Sequence, residues 1–281
     1  MFKCDFCGET FKKNIYFNNH VKNHEENSLF LEQYIKTSFD DIEFINGTPK
    51  VVFVVWFGGY GNEMFLMPMN RFNCFKDLVQ SIKVPIILIT QKNYKYFIKE
   101  EHPVHDAFQY LTGNHKSDYL RAYLLCHYGG GYHDVKSRII SWENEFEKDN
   151  WLYDDNIWIY GRREKEEGCI GHPPGMEHIK KEYNKLVTMG WVICKKNTPY
   201  IEDLLNKINK TLDYHIENLI KHPGIKSGGY RGNSHGVEFE NEYPLRWLEL
   251  MGEIFHPLML QYIDHIKYGL PDANKSKKYN K

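Results

Sequence analysis

Residues 117–136 read SDYLRAYLLCHYGGGYHDVK, and the fold turns on this stretch. Leu120, Tyr123, Leu124 and His127 recur at helical spacing, so Ser117–His127 is expected to form an amphipathic helix with one buried face. Ser117 suits the N-cap, and Asp118 would then sit in the first turn, where the helix dipole favours an anion. Gly129, Gly130 and Gly131 stop the helix and allow backbone to approach another group closely. Tyr132–Val135 reads as a strand that delivers Asp134 at its end. Each feature alone is ordinary capping. Their combination is more informative, because Asp118, Arg121, the glycine triplet and Asp134 fall within 17 residues.

On either side of this stretch, apolar runs alternate with helical patterns. Val51–Phe57 (VVFVVWF) is a continuous run of strand formers, expected as a buried parallel strand. Pro85–Thr90, Ile157–Gly161 and Gly190–Lys195 are further strands. Helices are expected at Leu29–Thr37, Met64–Leu78, Tyr94–Glu101 and Tyr243–Met251, with a long one opening at Thr198-Pro199 and running to about Lys221. This alternation predicts an α/β sheet with its site at the carboxyl ends of the strands. Gly58, Gly59 and Gly61 do not fit the dinucleotide fingerprint G-x-G-x-x-G. Arg162–Glu167 reads as a charged, solvated turn, and Gly168–Glu177 as a loop able to cover a site. His105, His115 and His133 read as structural or solvated rather than as ligands.

The 281 residues suffice for one large domain and a small one. With 36 basic against 37 acidic residues, the net charge of -1 offers no bulk field for nucleic acid or an anionic membrane. No apolar run reaches the roughly 18 residues of a membrane span. The N-terminal MFKCDFC lacks a signal peptide's apolar core, so a cytoplasmic location with reduced thiols is expected.

That N-terminus carries a second pattern. Cys4-x2-Cys7, twelve residues, then His20-x3-His24 is the spacing of a two-Cys, two-His zinc finger, with Phe11 and Phe17 as its small core. Two thiolates and two imidazoles one helical turn apart would complete a tetrahedron around Zn, without which so short a piece has no core. The usual base-reading positions fall on Lys13, Tyr16 and Asn19, of which Tyr16 is a poor reader, and no tandem finger follows. A protein partner or a structural use is therefore favoured over nucleic acid. Glu25–Ser28 reads as a linker.

The central stretch resembles the sugar-binding, DXD-type region of alpha-1,6-mannosyltransferase-like and capsular polysaccharide synthesis-like glycosyltransferases. Their pattern runs S-D-x-x-R, then Y-G-G-x-Y-x-D-x-D. This chain has Ser117-Asp118-x-x-Arg121 and Tyr128-Gly129-Gly130-Gly131-Tyr132-x-Asp134-x-Lys136. Trp56-Phe57-Gly58-Gly59 and the segment from Gly190 to Pro199 extend the likeness, which covers about residues 48–258. The resemblance implies a GT-A-type, Rossmann-like, mainly parallel sheet and transfer of a hexose from a nucleotide diphosphate sugar to a glycan or other hydroxyl acceptor, with retention. It implies Asp134 as a Mn or Mg ligand, Asp118 at the donor sugar or ribose, and Arg121 on a donor hydroxyl or on the acid that holds it. Val55, Trp56 and Phe57 would flank the base, and Gly130 and Gly131 join the donor-binding set. His235, in the glycine-rich loop Lys226–Glu238, could supply a third metal ligand, and Arg246 and His256 would edge the site.

Lys136 departs from the pattern, which has a second acid there. A charged lysine cannot ligate a metal but can neutralise phosphate. Three possibilities stay open: an active D-x-K subgroup, a metal-independent transferase, or a degenerate module that binds a nucleotide sugar or glycan without turnover. A zinc-finger, nucleic-acid-associated protein is the remaining alternative. The expected organisation is a finger over 1–27, a linker or helix over 28–47, the transferase domain over 48–270 and an unstructured tail over 271–281.

Overall fold

Val51, Phe53 and Val55 pack to one side of a six-stranded sheet and Val52 and Val54 to the other, and all five are buried. A run without polar alternation can only be satisfied between two covering layers, and the sequence run predicts this burial. The structure is a computed structural model that describes residues 1–4, 10–58, 66–137, 140–167, 170, 176–224 and 242–271.

In chain order the elements are β1 (Phe2–Lys3), β2 (Thr10–Phe11), α1 (Asn14–Glu32), β3 (Phe44–Ile45), β4 (Thr48–Pro49), β5 (Val52–Val55), α2 (Met69–Ile82), β6 (Ile86–Ile89), α3 (Gly113–His127), β7 (Gly130–His133), β8 (Ile159–Arg163), α4 (Glu177–Lys181), β9 (Val187–Cys194), α5 (Pro199–Lys221), α6 (Gly252–Gln261) and β10 (Ile266–Tyr268). The main sheet has the order β10-β8-β9-β7-β5-β6. Only β9 runs against the other five strands, so the sheet is mainly parallel, as expected. The buried side chains of α3, α5 and α6 form the core on one face, and those of α2 with Leu31 of α1 form the core on the other. On α5, Tyr200, Ile201, Leu204, Leu205, Ile208, Leu212 and Leu219 form the buried stripe. Fully burying one such leucine or isoleucine contributes about 1.5–3 kcal/mol.

Five local expectations need correction. Helix α3 starts at Gly113 rather than Ser117: Thr112 is its N-cap and accepts from the His115 N–H, while Ser117 Oγ donates to Gly113 O at 3.0 Å. Gly113 is what permits this start, because a Cβ there would lie 2.6 Å from Phe57 O at the end of β5. Asp118 therefore sits in the second turn. The helix is also buried on all sides from Tyr119 to His127, not on one face, because it is packed between the sheet and α5.

Glu25–Ser28, expected as a linker, lies inside α1. Leu31 is buried, Phe30 packs edge-on against Phe72 and Phe75 of α2, and Asn27 donates to Met69 Sδ at 3.3 Å. Tertiary packing of this second half carries the helix through the polar segment. Tyr94–Glu101 shortens to a 3-10 turn over Tyr94–Phe97. Tyr243–Met251 forms turns instead of a helix: the Glu249 carboxylate takes the Arg246 N–H at 2.9 Å, and α6 begins at Gly252. In contrast, α5 has the expected bounds, with Thr198 at the N-cap and Pro199 in the first turn.

Candidate functional site

The carboxyl ends of β5, β7 and β8 meet the amino-terminal half of β9 at a cleft of about 380 Å³. From β5 come Val55 and Trp56, whose indole N–H donates to Leu66 O at 3.2 Å. Asp134 follows β7 directly, its backbone N–H held by Gly190 O at 2.7 Å. Arg162 and Glu164 come from the end of β8. The β8–β9 ladder breaks register between Gly161 and Arg163, which leaves Thr188, Met189 and Gly190 off the ladder to line the cleft.

Arg121, on α3, ties the site together. Its Nη2 lies 3.1 Å from Asp118 Oδ1, 3.1 Å from Tyr132 Oη and 3.4 Å from Asp134 Oδ1, and its Nη1 donates to Met189 O at 3.0 Å. The guanidinium carbon stands 4.2 Å from the Tyr132 ring centroid. Tyr132 in turn donates its hydroxyl to Asp134 Oδ1 at 3.0 Å, and Lys136 Nζ donates to Asp134 Oδ2 at 2.7 Å. Lys136 and Arg162 each stand 5.5 Å from the Trp191 ring. Burial raises the Asp118 carboxyl to about 6, with Arg121 opposing and Asp134 adding to the rise. Burial also pushes Asp134 upward, but Lys136 and Arg121 outweigh it and hold that carboxyl down to about 2.

The lining therefore combines the cations Arg71, Arg121, Lys136 and Arg162 with the carboxylates Asp118, Asp134 and Glu164, walled by Trp56, Trp191 and Trp247. Such a surface can hold an anion and accept from hydroxyls at the same time. Of the residues expected at the site, Asp118, Arg121, Asp134, Lys136, Val55 and Trp56 come together here. Phe57 does not: it turns into the core against Tyr94 and Phe108. Gly130 and Gly131 are also outside the lining. They sit in the ladders of β7 with β5 and β9, where a Cβ on Gly131 would reach Val52 and Trp142 at 3.1 and 3.2 Å. Their small size serves sheet packing. His235 lies outside the described residues. Arg246 pairs with Glu253 and Glu249, and His256 is buried in α6; neither lines the cleft.

In the expected solvated turn Arg162–Glu167, Arg163 and Lys165–Glu167 are exposed, but Glu164 is buried and lies 3.6 Å from the half-buried Arg162. The sequence assigns Arg162, Glu164, Trp191 and Trp247 no place at the site, and Tyr132 and Gly190 stand in the quoted motifs without a role there. The signal for Arg162 was available, since a charge at the carboxyl end of a parallel strand points to the site. His115 and His133 are buried and structural, as expected: His115 bonds Tyr243 Oη at 2.7 Å, and His133 stacks on Trp191.

At the N-terminus, ligand atoms of Cys4, His20 and His24 lie within 4.8 Å of one another, with the two imidazole Nε2 atoms 3.0 Å apart. A thiolate and two imidazoles converging at this range fit a metal ion. Cys7 lies outside the described residues. A divalent ion at Asp134 fits poorly, because Lys136 engages one carboxylate oxygen and Arg121 with Tyr132 the other. No helix among the described residues is long and apolar enough to cross a membrane.

No curated protein matches this chain. Among solved structures, a chain named "PaToxG Glycosyltransferase" is similar over 87% of this chain and 80% of its own, at 13% identity and a TM-score of 0.41. The family described as "Capsular polysaccharide synthesis protein" matches residues 7–170, more than half of the chain, and that span holds Trp56, Asp118, Arg121, Asp134, Lys136, Arg162 and Glu164. The chain belongs to the capsular polysaccharide synthesis protein family.

Proposed function

We propose that the cleft is the donor site of a glycosyltransferase, which moves a hexose from a nucleotide diphosphate sugar to a hydroxyl acceptor with retention. The observation that carries this reading is the convergence of four cations and three carboxylates between tryptophans at the carboxyl ends of the strands. Membership of a polysaccharide synthesis family supports it, since polysaccharides grow by glycosyl transfer.

In such a reaction the bond from the anomeric carbon to the diphosphate oxygen breaks, and the nucleoside diphosphate leaves with the electron pair. The acceptor hydroxyl oxygen forms the new bond and passes its proton to the departing diphosphate oxygen, which has gained the negative charge. Arg121, Lys136 and Arg162 supply fixed positive charge where the leaving group gains negative charge. Asp118 accepts from a hydroxyl of the sugar or ribose, and Val55 and Trp56 flank the base. Asp134 holds Lys136 and Arg121 in place. The transferase unit is assigned to 48–270 and the finger to 1–27. There Cys4, Cys7, His20 and His24 hold Zn and the finger serves a protein partner.

Incubating the full chain with a panel of nucleotide sugars, and reading nucleotide release, tests the proposal. One donor is expected to release its nucleotide slowly in the wild type and not in Arg121→Ala. A donor that raises the melting temperature without turnover would make the protein a binding module. If no donor binds, the reading fails.

A further inference from the structure

We propose that the Lys136 ammonium takes the place of a metal ion on Asp134, so that the donor diphosphate binds without a divalent cation. The inference rests on the donor-site reading above. Both oxygens of Asp134 are committed within the protein: Oδ1 accepts from Tyr132 Oη at 3.0 Å and lies 3.4 Å from Arg121 Nη2, and Oδ2 accepts from Lys136 Nζ at 2.7 Å. The other carboxylates of the cleft turn to cations as well: Asp118 Oδ1 lies 3.1 Å from Arg121, and Glu164 lies 3.6 Å from Arg162. Among the described residues, Cys4, His20 and His24 are the one group with metal-ligand geometry, and it belongs to the segment after β1 and to α1, not to the lining of the cleft.

The packing is made for the lysine. Gly190 faces the pair with bare Cα, and a Cβ there would stand 3.0 Å from Asp134 Oδ2 and 3.1 Å from Lys136 Nζ. Trp191 holds the ammonium from a second direction at 5.5 Å. A lysine fixed on two sides at a cleft wall is a point charge whose position is set before any ligand arrives, which is what a diphosphate needs. A divalent ion on Asp134 Oδ2 would have to displace this ammonium or sit beside it against like charge.

Calorimetric titration of the zinc-loaded full chain with UDP, GDP, ADP, CDP and dTDP, in metal-free buffer and then with Mg²⁺ or Mn²⁺, tests this. One nucleoside diphosphate is expected to bind with an affinity that the added metal changes by less than about threefold. Lys136→Met is expected to weaken it by about tenfold or more, and Lys136→Arg to retain most of it. Lys136→Asp, which restores a second acid, is expected to bind only when Mn²⁺ is present. Melting temperatures of the variants separate misfolding from lost binding. A wild-type affinity that rises about tenfold with Mn²⁺, or a folded Lys136→Met that binds as well as the wild type, would overturn the inference while leaving the donor site standing. If no nucleoside diphosphate binds, the donor-site reading fails and the inference fails with it.

Discussion

Lys136 Nζ lies 2.7 Å from Asp134 Oδ2, and Gly190 leaves the room in which the two meet. The lysine of this pair stands where the family pattern has a second acid. The pair also couples a residue after β7 to the neighbouring strand β9, so a change on either strand is felt at the cleft.

Gly190→Ala tests that coupling. The new methyl group has to move Asp134 Oδ2 and Lys136 Nζ, the ends of two side chains, rather than backbone. The melting temperature is expected to fall by only a few degrees, while donor turnover falls by about tenfold, as a small misplacement of a charge-stabilising group costs a transition state more than a fold. Comparing kcat/KM with the melting curve checks both.

The two aspartates impose opposite pH dependences. Asp118 is raised to about 6, so the folded protein binds more protons than the unfolded chain between about pH 4 and 6. Its contribution to stability is therefore present in acid and is lost as pH rises through 6. Asp134 is lowered to about 2, so its contribution is present above about pH 4 and lost as pH falls towards 2. Chemical denaturation across this range is expected to show Asp134→Asn less stable than wild type at pH 7, with the gap closing in acid. If ionised Asp118 accepts a donor hydroxyl, turnover should rise with an apparent pKa near 6, and that step should vanish in Asp118→Asn.

Metal removal is expected to act on one end of α1 only. Cys4, His20 and His24 converge around the first half of the helix, whereas Phe30 and Leu31 anchor the second half on α2. Stripping the metal should reduce helical circular dichroism by about two to three turns and leave nucleotide affinity unchanged. Mass spectrometry should find one zinc per chain, absent in Cys4→Ser with His24→Ala.

Asn93→Ala provides a control remote from the cleft. The buried Asn93 side chain accepts from the Thr90 N–H at 2.8 Å and donates to Lys36 O at 2.6 Å and Leu88 O at 2.9 Å, which ties β6 to the segment after α1. Leaving these groups unpaired is expected to cost about 2–4 kcal/mol without changing nucleotide affinity, as measured by urea denaturation and calorimetry.

Much of the architecture is legible in local sequence. The VVFVVWF run predicts the two-sided burial of β5, and Thr198-Pro199 marks the start of α5, because both depend on near neighbours alone. The start of α3 is different. Ser117 offers a plausible cap, but Gly113 packing under the end of β5 decides the matter, and that contact joins residues 56 positions apart. The same holds for the site. Asp118, Arg121, Asp134 and Lys136 cluster in sequence and in space, whereas Arg162, Glu164 and Gly190 reach the cleft only through the antiparallel placement of β9 between β7 and β8. Phe57 and Gly131 show the converse, lying close to site residues in sequence yet serving the core.

The most direct measurement is a crystal structure of the full chain with the nucleotide sugar that it turns over. The donor reading predicts the base beside Val55 and Trp56, the diphosphate against Lys136 and a sugar hydroxyl on Asp118. Density for the nucleotide outside this cleft would contradict it.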